Sequence, residues 1–334
     1  MTALHGWLIL DKPPGLGSTQ GVSAVKRALR AGGYAKVKVG HGGTLDPLAT
    51  GVLPIALGEA TKLAGRMLDA SKVYDFTIAF GSGTDTLDAE GAVVATGDRR
   101  PTWAEVAAVL PRFTGPIEQV PPAYSALKID GRRAYDRARS GEDVAMPVRS
   151  VEVYSLAPLP FRGGAGGGGS PDAAMSDLSG PHPNPRSGSR ASERPEGEGL
   201  LEITLTAHVS KGTYIRSLAR DIAHALDTVG HVSMLRRTRA GPFGLDAAIS
   251  LDKLADFGQR AALQEILLPL EAGLADIPAL ILPPGEAGAL RQGRVLTGMT
   301  AADGQHLARC HDGTPIALVV AESGTVRVLR GFNL

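Results

Sequence analysis

Hydrophobic and polar residues alternate along several stretches of the chain, which is the pattern of a strand with one buried face. The alternation is clean at residues 200–209 and is also present at 73–80, and further strands are expected at 92–95, 148–157 and 231–237. A continuous apolar run at 7–11 indicates a fully buried strand near the N-terminus. These stretches are the predicted strands of the chain.

Helices are predicted between these strands from capping residues and from apolar positions three or four residues apart. Ser18 is the predicted cap of a helix that Gly32 ends, and Thr102 with Glu105 forms a capping-box signature. The predicted helices cover residues 18–31, 59–68, 102–110, 132–139, 214–226, 250–254 and 261–268.

Two segments differ from the rest of the chain. Residues 161–199 are rich in Gly, Ser and Pro and have almost nothing to bury, so we expect disorder there. Strand patterns on both sides indicate an insertion in a hairpin and not a linker between domains. Beyond Pro278 the pattern changes to short apolar runs with turn signals. We therefore predict one large domain at 1–275 and a small β-rich domain at 276–334.

Composition excludes several classes of protein. The chain has 334 residues, 43% of them hydrophobic, which is enough for a large core. No apolar run approaches the length that crosses a bilayer, and the first residues lack the features of a signal peptide. Cys310 is the single cysteine, which excludes internal disulfides and thiolate-cluster metal sites. We expect a cytoplasmic protein without a metal ion.

The net charge is only +1, but the basic residues are clustered. One such run is often a solvated helix face, whereas three runs in a nearly neutral chain favour a polyanion as partner. The first cluster is Lys26, Arg27, Arg30, Lys36 and Lys38; the second is Lys128, Arg132, Arg133, Arg137 and Arg139, interleaved with Tyr124 and Tyr135; the third is Arg236, Arg237 and Arg239.

A glycine-rich stretch at 40–51 places Asp46 directly before Pro47. Proline disfavours helical geometry at the preceding residue, so the carboxylate is expected on a loop or turn. Taken alone, such a stretch is more often a structural turn than a catalytic site. The surrounding sequence changes that balance.

Long sequence motifs follow one another in a recognisable order and cover most of residues 7–240. They are LDKPPG at 10–15, GHGGTLDPLATGVLPIALGEATKL at 40–63, KVY at 72–74, GSGTDTLDAEG at 81–91, PAYSALK at 122–128, SKGTYIR at 210–216 and HVSMLRR at 231–237. In these motifs the chain resembles the TruB-type bacterial tRNA pseudouridine-55 synthases. The resemblance implies an α+β fold, with a mixed, mainly antiparallel sheet and flanking helices. By position, the C-terminal domain resembles the PUA-type RNA-binding domain of that family.

The resemblance also implies a catalytic set and a partner. Asp46 would be the nucleophile, Tyr74 would stack on a flipped uracil, and Arg216 would keep the acid ionised and oriented. The carboxylate could attack the sugar or remove its 2′ proton, and the sequence does not choose between these routes. No cofactor is expected, because the product is an isomer of the substrate. The implied substrate is the T-arm of tRNA, bound by a monomer.

Further residues are expected to bind the substrate. The resemblance gives His41 a role in base flipping, and it places Tyr214 and Leu235 along the base pocket. Lys12 is counted with the binding set, although its expected contribution is to support the catalytic loop. The second basic cluster supplies the predicted RNA contacts, namely Lys128, Arg132 and Arg133.

Two other functions are compatible with parts of this pattern. The basic clusters and the C-terminal domain would suffice for a non-catalytic RNA-binding or RNA-folding module. A hydrolase could instead pair Asp46 with Asp85 or Asp88, although these two acids are more simply interpreted as turn residues. The joint presence of Asp46, Tyr74 and Arg216 favours the synthase.

Overall fold

The computed structural model describes residues 3–125, 127–129, 131–140, 142, 145–159 and 199–334. The predicted insertion at 161–199, except its last residue, lies outside the described residues, as do the side chains of Lys128 and Arg133.

The described strands come first in chain order. They are β1 (Gly6–Lys12), β2 (Val39–His41), β3 (Thr50–Leu57), β4 (Lys72–Phe80), β5 (Ser82–Thr84), β6 (Val93–Thr96), β7 (Gly115–Gln119), β8 (Lys128–Ile129), β9 (Arg132–Arg133), β10 (Arg149–Pro158), β11 (Glu202–Val209), β12 (Gly230–Ala240), β13 (Phe243–Gly244), β14 (Ala248–Ile249), β15 (Ala279–Leu282), β16 (Leu296–Thr297), β17 (Gly304–Cys310), β18 (Pro315–Glu322) and β19 (Thr325–Gly331).

The described α-helices are α1 (Ser18–Ala31), α2 (Ala64–Asp69), α3 (Trp103–Val109), α4 (Ala134–Arg139), α5 (Ile215–Ala225), α6 (Leu251–Gln259) and α7 (Pro284–Arg291). Short 3-10 helices lie at Gly58–Leu63, Leu110–Phe113, Leu263–Ile266 and Leu270–Leu274. The fold is therefore α+β, as predicted.

The chain divides into two compact units. The first consists of Met1–Val73 and Arg236–Leu334, and the second of Tyr74–Leu235. In the first unit the strand order is β14–β1–β3–β12, and β2 also pairs with β3. β1 runs antiparallel to β3, whereas β12 runs parallel to β3. This gives the mixed sheet that the resemblance implied.

Helix α1 buries Val22, Val25 and Leu29 on one face, as its apolar spacing predicted. The predicted cap is wrong. Gly17 is the N-cap, and its N–H donates to the side chain of Gln20, 2.7 Å away. Ser18 is the first residue of the helix, and its hydroxyl forms hydrogen bonds with the backbone of Leu45.

The second unit has the strand order β12–β4–β11–β10–β7. β7, β10 and β11 are antiparallel neighbours. Helix α5 buries Ile215, Leu218 and Ile222. The predicted capping box at the start of α3 is confirmed, since Thr102 and Glu105 exchange side-chain and backbone hydrogen bonds.

The C-terminal region is rich in β-structure, as expected. Its strands form one sheet in the order β15–β17–β18–β19–β16. The sequence indicated the hairpin of β18 and β19 and the helix α7, but it did not indicate β16 or β17.

Three of the predicted helices are only partly α-helical in the structure, or not α-helical at all. The stretch 59–68 is a 3-10 helix followed by α2, and 261–268 contains only a short 3-10 helix. The stretch 132–139 begins as β9 before α4. Helical periodicity alone does not distinguish these short forms.

Candidate active site

The loop that carries Asp46 connects β2 to β3, and a buried lysine supports it. Lys12 is 0% exposed, and its ammonium donates to the carbonyls of Pro13 (3.0 Å), Leu16 (2.7 Å) and Pro47 (3.1 Å). These contacts fix the residue that follows Asp46. They support the loop-positioning role of Lys12 and not a direct contact with RNA.

Ser18 holds the other side of Asp46. Its hydroxyl donates to the carbonyl of Leu45 at 3.0 Å and accepts from the N–H of the same residue at 2.8 Å. The N–H of Ala49 donates to the carbonyl of Asp46 at 3.1 Å and closes a turn. The backbone is therefore fixed on both sides of Asp46, whose side chain is half-buried.

Arg237 organises the rest of this loop from a position that is 1% exposed. Its guanidinium donates to the carbonyls of Val52 (2.7 Å), Thr44 (3.3 Å) and Gly43 (3.2 Å). Gly51 pairs with it in the sheet at φ +97°, and a Cβ there would lie 2.2 Å from the Arg237 carbonyl oxygen. Only glycine suits that conformation and close approach.

The third basic cluster does not form a continuous basic surface, because only Arg239 of its three residues is exposed. Arg237 is buried inside the loop, which contradicts the prediction for that residue. Arg236 makes a two-pronged contact with Asp11, with nitrogen–oxygen distances of 3.1 and 2.9 Å. Such a fork geometry is characteristic of a strong arginine–carboxylate pair.

His41 ends β2, opposite Ile55 of β3. Burial, and secondly the charge of Arg237, lower its pKa below the ordinary value of 6.5. Its Nδ1 is buried and has no hydrogen-bond partner among the described residues. At neutral pH the ring is consequently uncharged, which fits packing against a base better than pairing with a phosphate.

A second cluster lies at the start of α5 in the second unit. The Arg216 guanidinium donates to the carbonyls of Thr86 (2.8 Å) and Tyr124 (2.9 Å). It also lies 3.3 Å from the carboxylate of Asp88. The two charged side chains are 5% and 2% exposed as residues, so the pair is buried.

Asp88 is fixed by its own turn. Its Oδ1 accepts from the Thr86 hydroxyl (2.6 Å) and from the N–H of Glu90 (3.1 Å). The Asp85 carboxylate accepts from the N–H of Ala92 at 2.9 Å. The interpretation of both acids as turn residues is thus confirmed, but the ion pair of Asp88 with Arg216 was not foreseen.

The remaining predicted site residues of this unit lie on β4, α5 and β12. Tyr74 is half-buried near the start of β4, and Leu235 is buried on β12. Tyr214 is the N-cap of α5, and its N–H donates to the side chain of Gln119 at 3.1 Å. Backbone contacts thus fix the position from which the Tyr214 ring projects.

The second basic cluster is partly neutralised. Arg132 and Arg137 both contact the carboxylate of Glu142, at 3.1 and 2.8 Å. That Arg132 also contacts RNA stays a prediction.

The structure thus places Asp46, His41 and Lys12 in the first unit, and Tyr74, Arg216, Tyr214, Leu235 and Arg132 in the second. The described residues contain no group of three His, Cys, Asp or Glu side chains that could hold a metal ion. None of the helices in the described part of the chain has the length and apolar character that crossing a membrane requires.

Sequence reasoning missed Ser18, Asp88 and Arg237 as positioning residues. One signal was present for Arg237. Strand residues two apart share a face, and Leu235 was already interpreted as buried in a pocket. Arg237 therefore had to point in the same direction, away from solvent.

Comparison with known proteins identifies related chains. Residues 27–165 match the family model described as the N-terminal domain of TruB family pseudouridylate synthases, and residues 216–275 match the tRNA pseudouridylate synthase B C-terminal domain. A protein of Novosphingobium aromaticivorans is 59% identical over 99% of this chain and 98% of its own length. A protein of Zymomonas mobilis is 53% identical over 99% of this chain and 97% of its own length. Both carry the name tRNA pseudouridine synthase B.

Solved structures show the same fold. One is of an H/ACA ribonucleoprotein bound to a substrate RNA that contains 2′-deoxyuridine, with a TM-score of 0.65 and 24% identity. The match covers 98% of this chain and 85% of that one. A second, of an archaeal box H/ACA complex, has a TM-score of 0.64 and 23% identity over 98% and 86% of the two chains.

Proposed function

The chain belongs to the TruB family of pseudouridylate synthases, and we propose that it converts uridine-55 in the T-loop of tRNA to pseudouridine. The observation that carries the proposal is the 59% identity, over 99% of this chain, to a relative named tRNA pseudouridine synthase B. The modified position and the T-arm come from the family resemblance of the motifs.

The reaction is an isomerisation. The bond between N1 of the uracil and C1′ of the ribose breaks, the detached base turns, and a bond forms between C5 and C1′. The proton on C5 is lost, and N1 takes up a proton, so that atoms and charge balance without a cofactor. Asp46 would attack C1′, as a carboxylate does in retaining glycosidases, or it would remove the 2′ proton.

The loop geometry supports a catalytic role for Asp46. Lys12, Ser18 and Arg237 fix the backbone around the acid, while its side chain keeps partial access to solvent. A reacting group that is held in place before the substrate arrives loses little entropy on reaching the transition state.

The base-binding roles follow from the resemblance. Tyr74 would stack on the flipped uracil, because aromatic rings hold extruded bases well. Tyr214 and Leu235 would line the pocket, and the uncharged His41 would fill the space that the base leaves. We further propose that Arg216 completes the catalytic set with Asp46 and Tyr74.

The remaining proposals concern organisation. We propose a catalytic domain at 1–275 and an RNA-binding C-terminal domain at 276–334. The protein would act as a monomer in the cytoplasm, on the T-arm of tRNA.

A tritium-release assay tests the function. The wild-type protein is mixed with tRNA that carries tritium at C5 of its uridines, and the water is counted. We expect release of one tritium per tRNA, with the RNA intact, and no release from tRNA with cytidine at position 55. Free uracil would indicate the hydrolase. Binding of tRNA without tritium release would indicate the non-catalytic module.

A further inference from the structure

The outer face of α1 carries an unpaired basic surface. Lys26, Arg27 and Arg30 are all exposed, and none of them forms an ion pair or a side-chain hydrogen bond with any described residue. Clustered charges of one sign create a local potential that attracts ions of the opposite sign. On α1, three positive charges on two successive turns face solvent and have no acidic partner among the described residues.

The surroundings of this face strengthen its potential. Residues 12–45 contain no Asp or Glu, and the segment between α1 and β2 adds the exposed Lys36 and Lys38. The other two basic clusters are different. Arg132 and Arg137 share Glu142, Arg236 pairs with Asp11, and Arg237 is buried.

Helix α1 is also tied to the catalytic loop. Ser18, its first residue, makes two hydrogen bonds with Leu45, the neighbour of Asp46. A helix rises 1.5 Å per residue, so Arg30 lies about 18 Å along the axis from Ser18. A ligand that binds this face is therefore held in a fixed register with Asp46.

We propose that the outer face of α1 binds phosphates of the tRNA backbone and sets the orientation of the RNA relative to the Asp46 loop. This inference rests on the proposed function. The contacts are with phosphates, which position a nucleic acid without reading its sequence. Each contact releases condensed counterions, so the affinity contributed by this face decreases as salt increases.

The simpler alternative is a solvated helix face. Helix α6, which packs against α1, has exposed Asp252 and Asp256 on its surface. Asp256 is paired with Arg260 at 2.9 Å, and Asp252 forms no ion pair with a described residue. A matched change of charge separates the two alternatives.

The test is a triple variant, Lys26→Gln, Arg27→Gln and Arg30→Gln, in the full-length protein. Glutamine has a helix propensity close to that of the original residues, so α1 should be retained. We expect tRNA affinity at moderate salt to decrease by about tenfold or more, and the slope of log affinity against log salt to become shallower by up to about 0.9 per lost contact. Single-turnover tritium release at saturating tRNA should decrease by a smaller factor than the affinity, because this face orients the RNA but contributes no group to the reacting centre.

The matched control removes the same number of exposed charges elsewhere, with Arg112→Gln, Arg149→Gln and Lys253→Gln, none of which forms an ion pair with a described residue. We expect it to leave affinity and salt slope nearly unchanged. Equal effects of the two triple variants, or an unchanged slope in the α1 variant, would overturn the proposal. The wild-type assay on the same tRNA separates this failure from a failure of the proposed function, because a wild type without tritium release would reject the latter.

Discussion

The guanidinium of Arg216 lies 3.3 Å from the carboxylate of Asp88, and both side chains are buried. Removing two opposite charges from water costs several kcal/mol, and their attraction offsets that cost only when geometry and further hydrogen bonds are favourable. Asp88 has such bonds from Thr86 and Glu90. The pair is better explained as an arrangement that orients Arg216 than as a source of net stability.

Replacement of Asp88 by Asn should therefore be costly. The variant keeps the shape of the side chain but removes the negative charge that lies 3.3 Å from the Arg216 guanidinium. We expect the free energy of unfolding to decrease by on the order of 3 kcal/mol. If Arg216 belongs to the catalytic set, as proposed, turnover should also decrease by about a hundredfold, because displacing a catalytic group by about 1 Å lowers the rate by that factor. Urea unfolding and single-turnover tritium release measure the two effects.

Asp85→Asn is the matched control for this variant. Its carboxylate lies in the same turn, is exposed, and accepts from the N–H of Ala92. We expect both stability and turnover to remain close to the wild type. If Asp88→Asn behaved like this control, the orienting role of Asp88 would be rejected.

Arg237→Met tests the anchoring of the Asp46 loop. Methionine has a similar length but no donor, so the carbonyls of Gly43, Thr44 and Val52 lose their shared partner. Each unpaired buried acceptor costs about 1–3 kcal/mol. We expect lower stability and a lower kcat with tRNA affinity largely retained. A variant with normal kcat at a temperature where it is folded would show that the loop does not need this anchor.

His41 gives a pH-dependent prediction. Two effects lower the pKa of His41 below 6.5 in the folded protein: burial is the larger, and the charge of Arg237 is the smaller. As pH falls through about 6.5, the unfolded chain binds a proton at this position that the folded protein does not, so stability decreases with falling pH. The decrease should end below the folded-state pKa. In His41→Gln, urea unfolding between pH 7.5 and about 5 should lack this component.

The same histidine reports on Arg237. Loss of the guanidinium removes the second cause of the lowered pKa, while burial, the larger cause, remains. In NMR spectra of Arg237→Met, the His41 ring should therefore titrate at a higher pH than in the wild type, but still below 6.5. An unchanged titration would show that the charge of Arg237 does not act on His41.

Local signals in the sequence predicted local structure well. The capping box of α3 joins residues three apart and is confirmed, and so is the buried face of α1. Ser18 was misjudged, because its hydroxyl bonds Leu45, 27 positions away, while Gly17 takes the cap. The sequence near Ser18 contains no sign of that partner.

The role of Arg237 likewise depends on residues that are far away in the sequence. Beside Arg236 and Arg239 it resembles one member of a basic surface run, and its acceptors are 185 to 194 positions away in the chain. The family motifs supplied the proposed catalytic set, but not the buried side chains that hold the Asp46 loop and Arg216. Such support depends on which distant carbonyls and carboxylates the fold brings together.

Variants of Tyr74 separate stacking from proton transfer. Tyr74→Phe keeps the ring and loses the hydroxyl, whereas Tyr74→Leu loses both. We expect the Tyr74→Phe variant to bind tRNA like the wild type. The Tyr74→Leu variant should lose the stacking contribution to binding, about 1–3 kcal/mol per base. If the hydroxyl also transfers a proton, the single-turnover rate of the Phe variant should decrease by about two orders of magnitude or more. A fully active Leu variant would remove Tyr74 from the site.

The central claim is that Asp46 is the reacting carboxylate on a preformed loop. Asp46→Asn is nearly isosteric, and Lys12, Ser18 and Arg237 hold the neighbouring backbone through hydrogen bonds that the substitution does not alter. The loop should therefore fold as before, which a thermal unfolding curve close to that of the wild type would verify. An amide is a far poorer nucleophile and base than a carboxylate, so the chemical step alone should be lost.

The most direct measurement is single-turnover tritium release by Asp46→Asn from C5-tritiated tRNA, beside filter binding of the same RNA. We predict no detectable release, with tRNA affinity lowered by less than about tenfold, or about 1.4 kcal/mol. Substantial release by the folded Asn variant would contradict the assignment of Asp46.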